Sequence, residues 1–157
     1  MTTFFEGDSN LMTAAAFEFV LDSELKRAVR SQHYLTLVTL QATRETEGTT
    51  VTAEEGTLQA VARLIGGELR DSDLIGHTDL GTLTMVLLEA DFEHAERVIR
   101  RMVARIENHA FPEPLRIAVG AAVYPTHAVD AGSLKRYALA RPVVQGRGGP
   151  HPPTDQT

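Results

Sequence analysis

The chain has 157 residues, a formal net charge of −6, 43% hydrophobic and 23% charged residues, and no cysteine. That length suits one globular domain with a sizeable core, and the missing cysteines exclude disulfides, thiolate nucleophiles and cysteine-ligated zinc. An acidic chain with a pI of about 5.5 argues against nucleic acid as a partner, because phosphate backbones are held by basic surfaces. No apolar run approaches the roughly 20 residues of a bilayer span. The opening MTTFFEGDSN has no basic region followed by an apolar stretch, as a secretory signal would. A cytoplasmic protein with no membrane insertion is therefore expected.

Residues 1–12 carry no clear period and are set apart as an N-terminal segment. From Thr13, Phe17, Val20, Leu21, Leu25 and Ala28 recur at spacings of three and four, the mark of an amphipathic helix. HYLTLVTL (33–40) is rich in apolar and β-branched residues and predicts a strand. The polar, threonine-rich stretch Gln41–Val51 predicts a loop. Thr52 and Glu55 have capping-box spacing ahead of a second helix with Leu58, Val61, Ile65 and Leu69 as its buried stripe. Segments 73–78 and 82–88 flank Asp79-Leu80-Gly81 and predict a hairpin.

A third helix is expected from about Asp91 to about Asn108, with Phe92, Ala95, Ile99, Met102 and Ile106 inward. Pro112 and Pro114 break the chain before the strand LRIAVGAAVYP (115–125), and Ser133–Arg141 predicts a short helix. Residues 142–157, rich in proline, glycine and polar side chains, read as a flexible tail. The order is helix, then β-α-β-β-α-β, then helix. This is an α+β chain with a ferredoxin-like core: a mostly antiparallel sheet with helices on one face. The histidines, among them His77, His127 and His151, show no zinc-ligand spacing, and no cofactor is expected.

Three stretches carry a resemblance to a known family. LQAVARLIGGELRDSDLIGHTDLGTLTMVLLEA, LRIAVGAAVYPTHAVDAGSLKRYA and the opening helix AFEFVLDSELKRAVRSQ together resemble the GGDEF domain of diguanylate cyclases over residues 13–141. The resemblance implies the palm-type fold of that family. It places Asp79, Leu80, Gly81, Thr82 and Leu83 in the five signature positions.

In the family, paired glycines let the backbone approach the nucleotide. Carboxylates in the hairpin and at the end of the first strand hold the divalent cations that neutralise the triphosphate and activate the attacking hydroxyl. Here the second glycine position is Leu80, the acidic positions are Gly81 and Thr82, and the first strand ends Val38-Thr39-Leu40-Gln41. The following segment, Thr43-Arg44-Glu45-Thr46-Glu47, lacks the family's Phe-Lys and Asn-Asp residues. The resemblance therefore implies a degenerate domain with no catalytic residues, no metal site and no cyclase activity.

What it implies is kept is the R-x-x-D inhibitory motif, at Arg70 and Asp73, with the five residues Leu74–Thr78 between Asp73 and the signature slot. An arginine fork can donate to guanine O6 and N7 while an aspartate accepts from N1 and N2. Arg101, with Arg100 beside it, takes the position of the second arginine that completes such a site. Cyclic di-GMP is thus one expected ligand. The alternative is a nucleotide-independent module for protein interaction or self-association. On that alternative Arg70 offsets a helix dipole, Asp73 is a turn residue, and the arginines at 97, 100, 101 and 105 form a solvated face beside Glu93 and Glu96.

Overall fold

The computed structural model describes residues 11–150. Helix α1 (Ala14–Ser31) is capped by Thr13. Strand β1 (Leu35–Thr46) turns into β2 (Thr49–Thr52), and α2 (Glu55–Gly66) follows. The hairpin β3 (Leu74–Asp79) and β4 (Thr82–Leu88) leads to α3 (Phe92–Glu107), then β5 (Leu115–Tyr124), α4 (Ala131–Ala140) and β6 (Pro142–Gly148). The sheet runs β3-β4-β1-β5-β6 with β2 paired to β1, and every pairing between these strands is antiparallel. This is the α+β architecture expected from the sequence. No helix among the described residues is long and apolar enough to cross a membrane.

Helices cover both faces of the sheet, not one as expected. Val38, Leu40, Leu83, Met85, Ile117 and Val119 face α2 and α3, meeting Leu58, Val61, Ile65, Ile99, Met102 and Ile106. Residues of opposite parity, Leu35, Leu37, Val86 and Ala122, face α1 and α4, meeting Phe17, Leu21, Leu25, Leu134 and Ala138. Successive strand side chains point to opposite faces, so the continuous burial of β1 from Leu35 to Leu40 and of β4 from Thr82 to Leu87 requires a layer on each side.

Four further expectations are corrected. Gln41–Val51 is not a loop: β1 runs on to Thr46, turns at Glu47 (φ 52) and Gly48 (φ 77), and returns as β2. Positive φ at both central positions is the geometry of a tight hairpin turn, and the threonines fit the strand by their β-branching. Thr52 therefore belongs to β2, paired with Thr43, and does not cap α2. The cap position is Glu54, with no side-chain hydrogen bond, and the helix ends before Leu69, which is only partly buried.

Phe92, expected inward, is 38% exposed at the first position of α3. The fourth correction concerns the supposed tail, whose residues Pro142–Gly148 form edge strand β6 in register with β5. Its glycines serve packing: a Cβ on Gly146 would lie 2.9 Å from Val103 Cγ1, and one on Gly148 2.9 Å from Phe111 Cδ2. Of the expected terminal segments, residues 1–10 and 151–157, with His151, lie outside the described residues.

Candidate functional site

The signature slot is the turn between β3 and β4. Asp79 closes the turn locally, its Oδ1 accepting the Leu80 N–H at 2.8 Å. Gly81 adopts φ +66, a left-handed backbone that favours glycine. Its carbonyl accepts the Ala42 N–H at 2.8 Å, while the Ala42 carbonyl accepts the Ala53 N–H at 3.0 Å. The β1–β2 ribbon is thus bonded onto the turn, and a Cβ at Gly81 would come within 3.0 Å of both the Ala42 carbonyl oxygen and Thr52 Cβ.

Of the two leucines in the slot, Leu83 is fully buried in the core and Leu80 is 76% exposed at the tip. Thr82, nearly buried, sits directly opposite Gln41 on β1. A hard divalent cation seeks several converging oxygen ligands, carboxylates above all. Gln41, Gly81 and Thr82 supply no carboxylate, and Asp79 binds its own turn, so this donor set does not fit such a cation. Among the described residues no three histidine, aspartate or glutamate side chains are grouped to hold a metal.

The R-x-x-D residues come together in the turn between α2 and β3. Asp73 Oδ2 accepts the Arg70 backbone N–H at 2.9 Å and Arg70 Nε at 3.5 Å, and Asp73 Oδ1 accepts the Leu88 N–H at 3.2 Å. Arg70 also donates through Nη2 to the Leu88 carbonyl. The Asp73 side chain is 4% exposed and that of Arg70 51%. The pair fastens the start of β3 to the end of β4. The carboxylate already faces three donors from within the fold.

Sequence reasoning did not single out Glu68, two residues before Arg70. It accepts Arg105 Nε at 2.7 Å and Arg101 Nε at 2.9 Å, joining α3 to the end of α2. The hydrogen bonds from Arg105 and Arg101 hold its carboxyl below the usual carboxylate range. A lone glutamate after Gly66-Gly67 gives no sequence signal. Its role follows only from Arg101 and Arg105 being one helical turn apart on the face that meets it. Arg100 points to Glu96 at 3.8 Å, as an ordinary exposed pair.

Neither a scan against known protein families nor a search of curated proteins finds a match. Solved structures do match. The GGDEF domain of TpbB (YfiN) from Pseudomonas aeruginosa is similar with a TM-score of 0.69 at 24% identity, over 85% of this chain and 84% of that one. The GGDEF domain of DgcB from Caulobacter crescentus, determined in complex with c-di-GMP, gives 0.71 at 15% identity, over 89% and 88%. The diguanylate cyclase SiaD from Pseudomonas aeruginosa, in complex with its activator SiaC, gives 0.70 at 17% identity, over 88% of this chain and 57% of that one. These likenesses show the fold: the chain has the architecture of GGDEF domains.

Proposed function

We propose that this chain is a catalytically silent domain of the GGDEF fold that signals by binding and not by synthesis. The observation that carries the reading is the signature turn itself. The β1–β2 ribbon is bonded onto Gly81, and the positions that would present metal carboxylates hold Gln41, Gly81 and Thr82. Phosphoryl transfer in such a site depends on cations that neutralise the triphosphate, and this turn offers them no converging set of carboxylates.

For what is bound, the geometry favours a protein contact. Asp73 has its oxygens turned to Arg70 and Leu88, and Arg101 is held by Glu68, so the groups that would read a guanine are engaged within the fold. Leu80, standing out at the tip of the turn, adds an apolar group of the kind protein contacts bury. Cyclic di-GMP is the second reading, favoured by the exposed guanidinium groups of Arg70, Arg100 and Arg101. The similarity to DgcB, whose structure contains c-di-GMP, also speaks for it.

The deciding experiment has two arms on the same preparation. Incubation with GTP and Mg²⁺ or Mn²⁺, followed by chromatography, is expected to yield neither pppGpG nor cyclic di-GMP; formation of either would overturn the silent-domain reading. Isothermal titration with cyclic di-GMP is expected to give no saturable heat. Micromolar binding that disappears in Arg70→Ala would replace the protein-contact reading with the receptor reading.

A further inference from the structure

We propose that the sheet face beyond the end of α4 is a binding pocket for a small molecule carrying one carboxylate or phosphate-monoester group. The pocket follows from strand register. Gln41, Ala118 and Gln145 stand side by side on β1, β5 and β6, and Thr43, Arg116 and Arg147 form the next row. Residues directly opposite in antiparallel strands project to the same face. These two rows therefore share the face that carries α1 and α4 further along the sheet.

Helix α4 stops short of them. It rests on Gly120, where a Cβ would lie 1.9 Å from the Ala138 carbonyl oxygen. Ala118, the smallest residue in its row, makes the floor. The cavity measures about 530 Å³, and Glu107 at the end of α3 also lines it. That volume is in the range of small-molecule sites, roughly 300–1,000 Å³.

The charges indicate the occupant. Like charges directly opposite across a strand pair repel and weaken the pairing, yet Arg116 and Arg147 are such a pair. Arg116 is relieved by Glu45, at 2.9 Å. Arg147 makes no ion pair with any described residue. A guanidinium fork beside a second arginine suits an oxyanion, which accepts bidentate hydrogen bonds from it. Glu107 limits the excess positive charge, so a group of one or two charges fits and a triphosphate does not. The amides of Gln41 and Gln145 and the Thr43 hydroxyl are placed to bond the neutral polar part of the same molecule. The site shares no residue with Arg70, Asp73 or the α3 arginines, so it stands or falls apart from the cyclic di-GMP reading.

The test is amide-resolved NMR titration of the full chain at constant ionic strength, with sodium acetate and inorganic phosphate as separate probes. Expected are saturable shifts centred on Gln41, Ala118, Gln145 and Arg147. Affinity should fall about tenfold or more in Arg147→Gln, the scale of one lost charge-assisted hydrogen bond. It should be lost in Ala118→Leu, which fills the floor without changing charge, and unchanged in Arg30→Gln, with folding of each variant checked by circular dichroism. Saturable binding of one probe alone identifies which oxyanion the pocket prefers, and binding of both supports the shared chemistry. Shifts that never saturate, or that persist in folded Ala118→Leu, overturn the proposal.

Discussion

Asp73 separates two roles for one motif. A carboxylate kept for a ligand contributes little to stability, whereas this one satisfies the backbone N–H groups of Arg70 and Leu88 while itself 4% exposed. Removing it leaves two donors without their partner, each at about 1–3 kcal/mol when water cannot replace it. Asp73→Ala should therefore cost about 2 kcal/mol or more in urea denaturation. Arg70→Ala, which removes a half-exposed side chain from the same clamp, should cost about 1 kcal/mol or less. The reverse order would mean that Arg70 and not Asp73 holds the turn. The spacing of Arg70 and Asp73 was legible in the sequence; their bonding to each other was not. Which other donors occupy the carboxylate was not legible either, because Leu88 is brought there only by the pairing of β3 with β4.

At the scale of elements, periodicity revealed the helices and missed the two strands that break its rules. The β1–β2 ribbon is exposed over most of its length, so its residues have no buried face to impose an alternation of polar and apolar groups. Its signal was the Glu47-Gly48 turn between threonine-rich arms. Strand β6 has a tail's composition because its two packing glycines lie under Val103 and Phe111, and its proline starts an edge strand, where no ladder bond is lost.

A chain ending at Arg141 would leave β5 as the edge and uncover Val103, Phe111, Ile117 and the partners of Val143 and Val144. At about 25 cal/mol per Å² of apolar area re-exposed, a loss of about 3 kcal/mol is a reasonable expectation. For a domain of this size that lowers the melting temperature by roughly 10 °C. Thermal unfolding of the truncated and full chains compares them directly. Equal melting temperatures would show that β6 adds nothing to the fold.

For the whole molecule, one sheet is shared by two unequal layers. α3 buries Ala95, Val98, Ile99, Met102, Val103 and Ile106, whereas α4 buries Leu134 and Ala138, with Ala131 and Tyr137 partly buried beside them. Amides of α4 should therefore exchange with solvent through local opening, while those of α3 exchange only on global unfolding. The opening of α4 should also depend on pH through His127. This ring stacks on Tyr137 of α4 at 4.4 Å, meets the edge of Phe92 at 5.8 Å, and accepts the Val123 N–H through Nδ1 at 2.9 Å. That acceptor exists only while Nδ1 carries no proton. Burial, and then the nearby Arg141 cation, push the His127 pKa below its ordinary value.

A histidine with a lowered folded-state pKa gives its full contribution above the ordinary value, about 6.5. It loses that contribution as pH falls towards the folded-state value, because the open form binds the proton more readily. Glu68 and Asp130, whose carboxyls are held below their ordinary values, lose their contributions only at more acid pH. After correction for intrinsic rates, α4 protection should thus decline between pH 7.5 and 5.5 while α3 protection changes less. In His127→Phe, which keeps a ring against Tyr137 but has no proton to gain, the α4 decline should vanish. A decline of the same size in that variant would place the pH sensitivity elsewhere in the fold.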